Sequence, residues 1–184
     1  MHGTAQLQTQ DMIRARWPAL DRGLLFALAL AVLAALPVLL AWAPQMTDYP
    51  SHLAGYKVAL DHGQDPYLTR YFRFNWEWTG NLGVELLMVP MAPVFGLEQA
   101  GRIIVALIPF LSVLSVYALC RALKRPMGVG PLLSLSMIWS PSLLMGFVNW
   151  SLSVAMALFV FAAWVGLEGK RWRWIAMILS LIHI

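Results

Sequence analysis

Ionisable side chains are few in this sequence, and they gather in one stretch. Residues 44–80 hold Asp48, His52, Lys57, Asp61, His62, Asp65, Arg70, Arg73 and Glu77. Within it, the tract Thr47-Asp48-Tyr49-Pro50-Ser51-His52-Leu53 has the residue types and spacing for chemistry. Pro50 is pre-organised for a first helical turn. Asp48 and His52 are four apart and share a helix face if Asp48 belongs to that turn. A carboxylate here could act as a general base or ligate a divalent metal ion, and an adjacent imidazole could hold a phosphate or a proton. The competing reading is structural: an Asp at a helix start satisfies free amide donors and favours the positive helix end. Asp61, His62 and Asp65 form a second cluster, DHGQDP, with the same ambiguity, because its Gly and Pro are ordinary turn chemistry. Glu85 lies in an apolar run, where an acid normally faces the protein interior or a cavity. Arg102 borders the next apolar run and could bind a lipid phosphate or snorkel its charge into water.

The elements that position these residues follow from composition. Of 184 residues, 60% are hydrophobic and 12% charged, against about 45–50% and about 25% in a soluble domain. Lipid is the solvent that suits such a chain, so the expected fold is all-α: a polytopic transmembrane helical bundle with extracytoplasmic juxtamembrane helices. The net charge of +4 comes from Lys and Arg clustered between apolar runs, a pattern for anchoring at an anionic membrane face and not for binding nucleic acid. Cys120 is the single cysteine, which excludes an internal disulfide or a cysteine metal cluster. No phosphate-cradling Gly loop, HExxH or GxSxG is present, which removes the reaction classes those motifs serve.

Residues 1–22 read as a cytoplasmic tail with Arg14, Arg16 and Arg22. Residues 23–43 are uncharged and long enough to cross a hydrocarbon core of about 30 Å. They exceed a signal-peptide core of about 7–15 residues, and Pro44 disfavours cleavage after Ala41-Trp42-Ala43, so an uncleaved anchor is expected. Residues 44–102 form an extracytoplasmic loop. Leu53, Tyr56, Ala59 and Leu60 recur at helical spacing and predict an amphipathic helix over 50–62. Tyr71, Phe72, Phe74, Trp76 and Trp78 resemble an interfacial aromatic belt. Residues 82–97, with Pro90 and Pro93, are too short to cross and predict a re-entrant or juxtamembrane helix. Residues 103–184 are transmembrane: a span over 103–120, two within 126–167 with a turn near Asn149, and a further one opening at 174. That last run reaches only about 16 Å, so the chain is expected to continue. Basic clusters at 14–22, 121–125 and 170–173 then all fall on the cytoplasmic side, as the positive-inside rule requires. Asn149-Trp150-Ser151 matches a glycosylation acceptor pattern, but the tight turn makes the match incidental.

Several of these features together resemble the N-terminal part of the GT-C superfamily of membrane glycosyltransferases. The residues that carry the resemblance are Asp48-Tyr49-Pro50-Ser51-His52 after the first span, with Tyr56 a turn later. Asn81 to Leu87, Phe95-Gly96 and Ala100-Gly101-Arg102 follow, and then the basic close Arg121-Ala122-Leu123-Lys124-Arg125. The resemblance covers residues 20–170 through short, degenerate motifs. It implies sugar transfer from a polyprenyl-phosphate donor on the extracytoplasmic face of a bacterial inner membrane. Asp48 would be the base or metal-facing acid, with a divalent metal ion as the one cofactor in view. Arg102, helped by His52, would neutralise the departing lipid phosphate, and Tyr56 and Glu85 would line the substrate site. The implied partners are membrane lipid and a lipid-linked sugar. The rival class is non-catalytic: a transporter or an assembly factor for a surface polymer. A transporter would place ionisable residues inside its spans, often with internal repeats, and neither feature is visible here.

Overall fold

The computed structural model describes residues 22–77 and 81–182. The expected cytoplasmic tail, apart from Arg22, and Trp78 of the aromatic belt lie outside the described residues. Within them the chain is helical and contains no strand. Helix α1 is Arg22–Leu40, α2 is Tyr49–Asp61, α3 is Pro66–Tyr71 and α4 is Gly83–Phe95. They are followed by α5 Leu97–Ala122, α6 Val129–Ser134, a 3-10 turn Leu135–Met137, α7 Pro141–Met145, α8 Val148–Gly166 and α9 Arg173–Ile182. Three of these, α1, α5 and α8, are long and apolar enough to cross a membrane.

Helix α1 is apolar on every side beyond Arg22. Leu25, Phe26, Val32 and Leu33 stay exposed, while Ala27, Ala31, Ala35 and Val38 are buried. That inward stripe is made of small residues, which let two helix backbones approach closely, and α1 packs along α5. Helix α8 also packs along α5 and buries Ala155 and Ala162. Helix α5 is therefore the central element, with Ile104, Val105, Ile108 and Val113 fully enclosed.

Three contacts fix how the helices run. Arg102 Nη1 donates to the Ala41 carbonyl at 3.1 Å, which brings the start of α5 to the end of α1. A Cβ added at Gly166 would lie 3.7 Å from Ala122 Cβ, so α5 and α8 finish together. The Thr47 and Asp48 amides donate to the Leu144 and Met145 carbonyls at 3.2 and 2.9 Å. Residues 123–147 must therefore travel back from the Ala122 end to the Asp48 end before α8 descends again. The sequence predicts two spans within 126–167. The structure gives one uninterrupted helix, α8, preceded by a return leg broken into α6, the 3-10 turn and α7. Pro141 explains the last break. It has no amide donor and forces the preceding residue out of helical geometry, and Ser140 accordingly sits at ψ 159° with its hydroxyl accepting from the Leu143 amide.

Helix α5 opens at Leu97, six residues before the expected start at 103. Arg102 is thus inside the helix and not at its threshold. Glu98, Gln99 and Arg102 obscured the boundary because polar residues read as loop, yet a helix end that projects beyond the apolar slab tolerates them. Residues 82–97 behave as expected in length: α4 has 13 residues, about 20 Å, and packs against α5 and α8. Charge is biased along the bundle. Arg22, Arg121, Lys124, Arg125, Lys170, Arg171 and Arg173 share one end with Glu168, whereas the 41–102 region at the other end mixes Asp48, Asp61, Asp65, Glu77, Glu85 and Glu98 with Lys57, Arg70, Arg73 and Arg102.

Candidate functional site

A groove of about 1040 Å³ opens at the acid-rich end, between the 41–47 turn, the start of α2 and the start of α5. Trp42, Met46, Leu53 and Phe95 give it apolar walls, and Thr47, Tyr49, Glu98, Gln99 and Arg102 supply its polar atoms. Two of the Arg102 guanidinium nitrogens are engaged, Nη1 with Ala41 and Nη2 with the Gln99 side-chain oxygen. Its Nε is buried with no hydrogen-bond partner among the described residues. Arg102 therefore holds α1 to α5 and also places a fixed positive charge in the groove wall.

Tyr49 borders this groove with a hydroxyl that is buried and has no hydrogen-bond partner among the described residues. The hydroxyl lies over Gly101, where any Cβ would collide with it. Glycine in a helix interior costs about 1 kcal/mol relative to alanine, and here the close approach of Tyr49 accounts for it. Burial pushes the Tyr49 phenol up to about 12, Glu98 adds to the shift, and Arg102 opposes it.

The three loop acids separate clearly. Asp65 has extended backbone and accepts from the Tyr67 and Leu68 amides, so it caps α3. Asp61 accepts from the Asp65 amide at 2.8 Å and pairs with Lys57 at 3.6 Å. The Asp65 amide, and after it Lys57, holds the Asp61 carboxyl below its ordinary range. Asp48 precedes α2 in the capping position, yet its backbone is at φ −95° and ψ −3° and its side chain makes no capping bond. A capping side chain needs the extended backbone that Asp65 has. Asp48 cannot take it because its own amide is tied to Met145 and that of Thr47 to Leu144. Its carboxylate is exposed and flanked by Thr47 and Tyr49, which both line the groove.

The other sequence candidates fall elsewhere. His52 is half-buried and stacks on Tyr56, ring centroids 6.2 Å apart, and its backbone amide donates to the Asp48 carbonyl at 3.1 Å. Tyr56 is buried in the core and does not line the groove, and its hydroxyl has no hydrogen-bond partner among the described residues. Burial raises its phenol above the ordinary range, with Glu85 and Tyr49 adding to the shift. Glu85 accepts from Asn149 Nδ2 at 3.0 Å. Asn149 also accepts from the Val84 amide at 2.7 Å and donates to the Asn81 carbonyl at 3.2 Å. Its side chain is thus fully committed and 5% exposed. Among the described residues no three His, Cys, Asp or Glu side chains converge. Asp48 has no companion ligands there, so the residues present do not fit a divalent ion.

Asn149 and Gly146 carry structural roles that residue type alone did not announce. Gly146 has φ +98°, and a Cβ there would lie 3.0 Å from the Asp48 and Tyr49 amide nitrogens. Gly146→Ala is expected to cost about 1–3 kcal/mol in backbone strain and to push the 47–49 turn off α7. Hydrogen exchange at the Thr47 and Asp48 amides would then accelerate while amides in the middle of α5 keep their protection. Unchanged exchange at residues 47 and 48 would contradict this. No family model, curated protein or solved structure matches the chain.

Proposed function

We propose that this protein is a multi-pass protein of a bacterial inner membrane that transfers a sugar from a polyprenyl-phosphate donor on the extracytoplasmic face, as the GT-C resemblance implies. The observation that carries the reading is the Asp48 carboxylate: Asp48 is exposed, its side chain makes no capping bond and has no ion pair among the described residues, and it stands beside a groove that holds a guanidinium. Three apolar helices of spanning length and the cluster of basic residues at one end support the membrane placement, with that basic end in the cytosol. The groove then opens at the outer interface, where its apolar walls suit a lipid tail and Arg102 suits a phosphate.

The chemistry asked of these residues is simple. Asp48 takes the proton of an acceptor hydroxyl as that oxygen attacks the anomeric carbon of the sugar. The bond between the anomeric carbon and the phosphate oxygen breaks, and the lipid phosphate leaves as an anion that faces Arg102. His52, held against Tyr56, stays outside the proton transfer.

The test is chain-dependent transfer from a labelled polyprenyl-phosphate sugar in membranes, and its loss in Asp48→Asn. Topology gives an independent check. In a Cys120→Ser background, Gln64→Cys is expected to react with an impermeant maleimide on intact cells, and Lys170→Cys only after permeabilisation. The reverse pattern would remove the proposal.

A further inference from the structure

We infer that the groove holds the phosphate of its lipid ligand on the first turn of α5, between the free amides of Leu97, Glu98 and Gln99, the Tyr49 hydroxyl and the Arg102 guanidinium. This rests on the lipid-linked donor proposed above and adds the groups that grip it. Binding there needs no turnover.

Helix α5 is 26 residues long and starts uncapped: Gly96 holds the capping position, and no side chain bonds the first amides. The Leu97, Glu98 and Gln99 amides have no acceptor among the described residues, and Ala100 is the first to find one, the Gly96 carbonyl at 2.9 Å. Such a helix end concentrates positive potential and unpaired donors, which suit a phosphate. Gly96, Leu97, Glu98 and Gln99 all line the groove. Gly96 is at φ +80° and ψ 158°, a conformation open essentially to glycine. A Cβ there would meet nothing within 4 Å, so the approach to the helix start is open.

Tyr49 points to the same place independently of the backbone. It lines the groove, is 4% exposed, and its hydroxyl has no hydrogen-bond partner among the described residues. The hydroxyl rests on the first turns of α5: it meets the helix at Gly101, and Glu98 and Arg102 both act on its ionisation. With the phenol pushed up to about 12, it stays a donor in neutral solution. Arg102 Nε is another enclosed donor without a partner among those residues. Unpaired buried donors are costly, and these two meet α5 at adjacent positions. A phosphate oxygen can accept from phenol, guanidinium and backbone amides together. Both atoms are enclosed, so seating the anion requires the Tyr49 ring and the Arg102 side chain to shift toward the groove. Trp42, Leu53 and Phe95 supply the apolar wall for a prenyl tail, which favours a prenyl phosphate over a free anion.

Equilibrium titration of the full chain in neutral detergent tests this with farnesyl phosphate, farnesol and inorganic phosphate. The readout is the affinity ratio of farnesyl phosphate to farnesol, which isolates the phosphate from the tail. Tyr49→Phe is expected to lower the ratio about tenfold. Leu97→Pro, which deletes one amide at a position where proline suits a helix start, should lower it about fivefold. Glu98→Gln, which removes the carboxylate lining the groove, should raise it about threefold. Arg70→Gln, a cation of the same loop that does not line the groove, should stay within about twofold. Tyr49→Phe should also raise the melting temperature by about 2 °C, because it deletes a buried donor that lacks an acceptor. A gain in stability joined to a loss of phosphate binding separates a ligand-binding hydroxyl from a packing one. Inorganic phosphate should displace farnesyl phosphate only at about a hundredfold higher concentration, since it lacks the tail. Equal potency would assign the subsite to a free anion and overturn the lipid occupant. An unchanged ratio in Tyr49→Phe overturns the subsite and leaves the transfer reaction standing, whereas absent transfer with the expected ratios does the reverse.

Discussion

Replacing Asp48 by Asn is expected to lower sugar transfer by about 10²–10⁴-fold, the range that a positioned general base contributes. Stability should stay within about 0.5 kcal/mol of the parent, as for surface changes that remove no contact. The two expectations belong together, because the carboxylate makes no hydrogen bond that Asn could forfeit. Asp65→Ala is the matched control from the same loop. It removes a cap that serves the Tyr67 and Leu68 amides, so it should cost about 1 kcal/mol and leave transfer near the parent rate. The measurements are initial rates from a lipid-linked donor and thermal unfolding in one detergent. If Asp48→Asn keeps its rate, or if its melting point falls as far as that of Asp65→Ala, then Asp48 is a structural residue and the non-catalytic reading takes over.

Asp48, Asp61 and Asp65 also show where sequence reasoning reaches and where it stops. All three stand at or near helix boundaries beside Gly or Pro, and residue type assigns each a cap and a catalytic role equally well. What separates them is backbone conformation. Asp65 is extended and caps, whereas Asp48 is held near the helical region by amide bonds to residues almost a hundred positions away. No local pattern encodes such a partner. The long apolar helices were legible for the opposite reason: hydropathy is a local, additive property, so uncharged runs mark α1, the body of α5 and α8, the three helices long and apolar enough to cross a membrane. Helix bounds differ from the apolar runs where polar residues belong to a helix that extends past its apolar part, as at Glu98 and Arg102, and where Pro and Gly fragment an uncharged stretch, as between 128 and 147. Arg102 was legible as a phosphate candidate but not as the side chain that also holds the Ala41 carbonyl. Tyr56 and Glu85 read as site residues because polar atoms among apolar neighbours look functional, yet the groove excludes both.

Asn149→Leu should be the most damaging single change to stability, at about 3–5 kcal/mol, or a fall in melting temperature on the order of 10 °C. The first amides of α4 need partners from outside the helix, and Leu82, in the capping position, has no polar side-chain atom to offer. Asn149 fills that role from α8, accepting from the Val84 amide while donating to Glu85 and to the Asn81 carbonyl. Leucine leaves the Val84 amide buried without an acceptor, about 1–3 kcal/mol, and removes the bonds to Glu85 and to the Asn81 carbonyl, each about 0.5–1.5 kcal/mol. Glu85→Gln is the milder comparison, because a Gln oxygen still accepts from Asn149 and the Val84 cap survives. The same residue links stability to the groove. Asn149 opens α8 directly after the Gly146 turn, and that turn seats the Asp48 backbone. Loosening α8 at its first residues should therefore displace Asp48 and slow transfer even though Asn149 touches no substrate, whereas Asp48→Asn slows transfer with the fold intact. A variant Asn149→Leu that unfolds early but transfers at the parental rate would break that link and show that the 47–49 turn is positioned independently of α8.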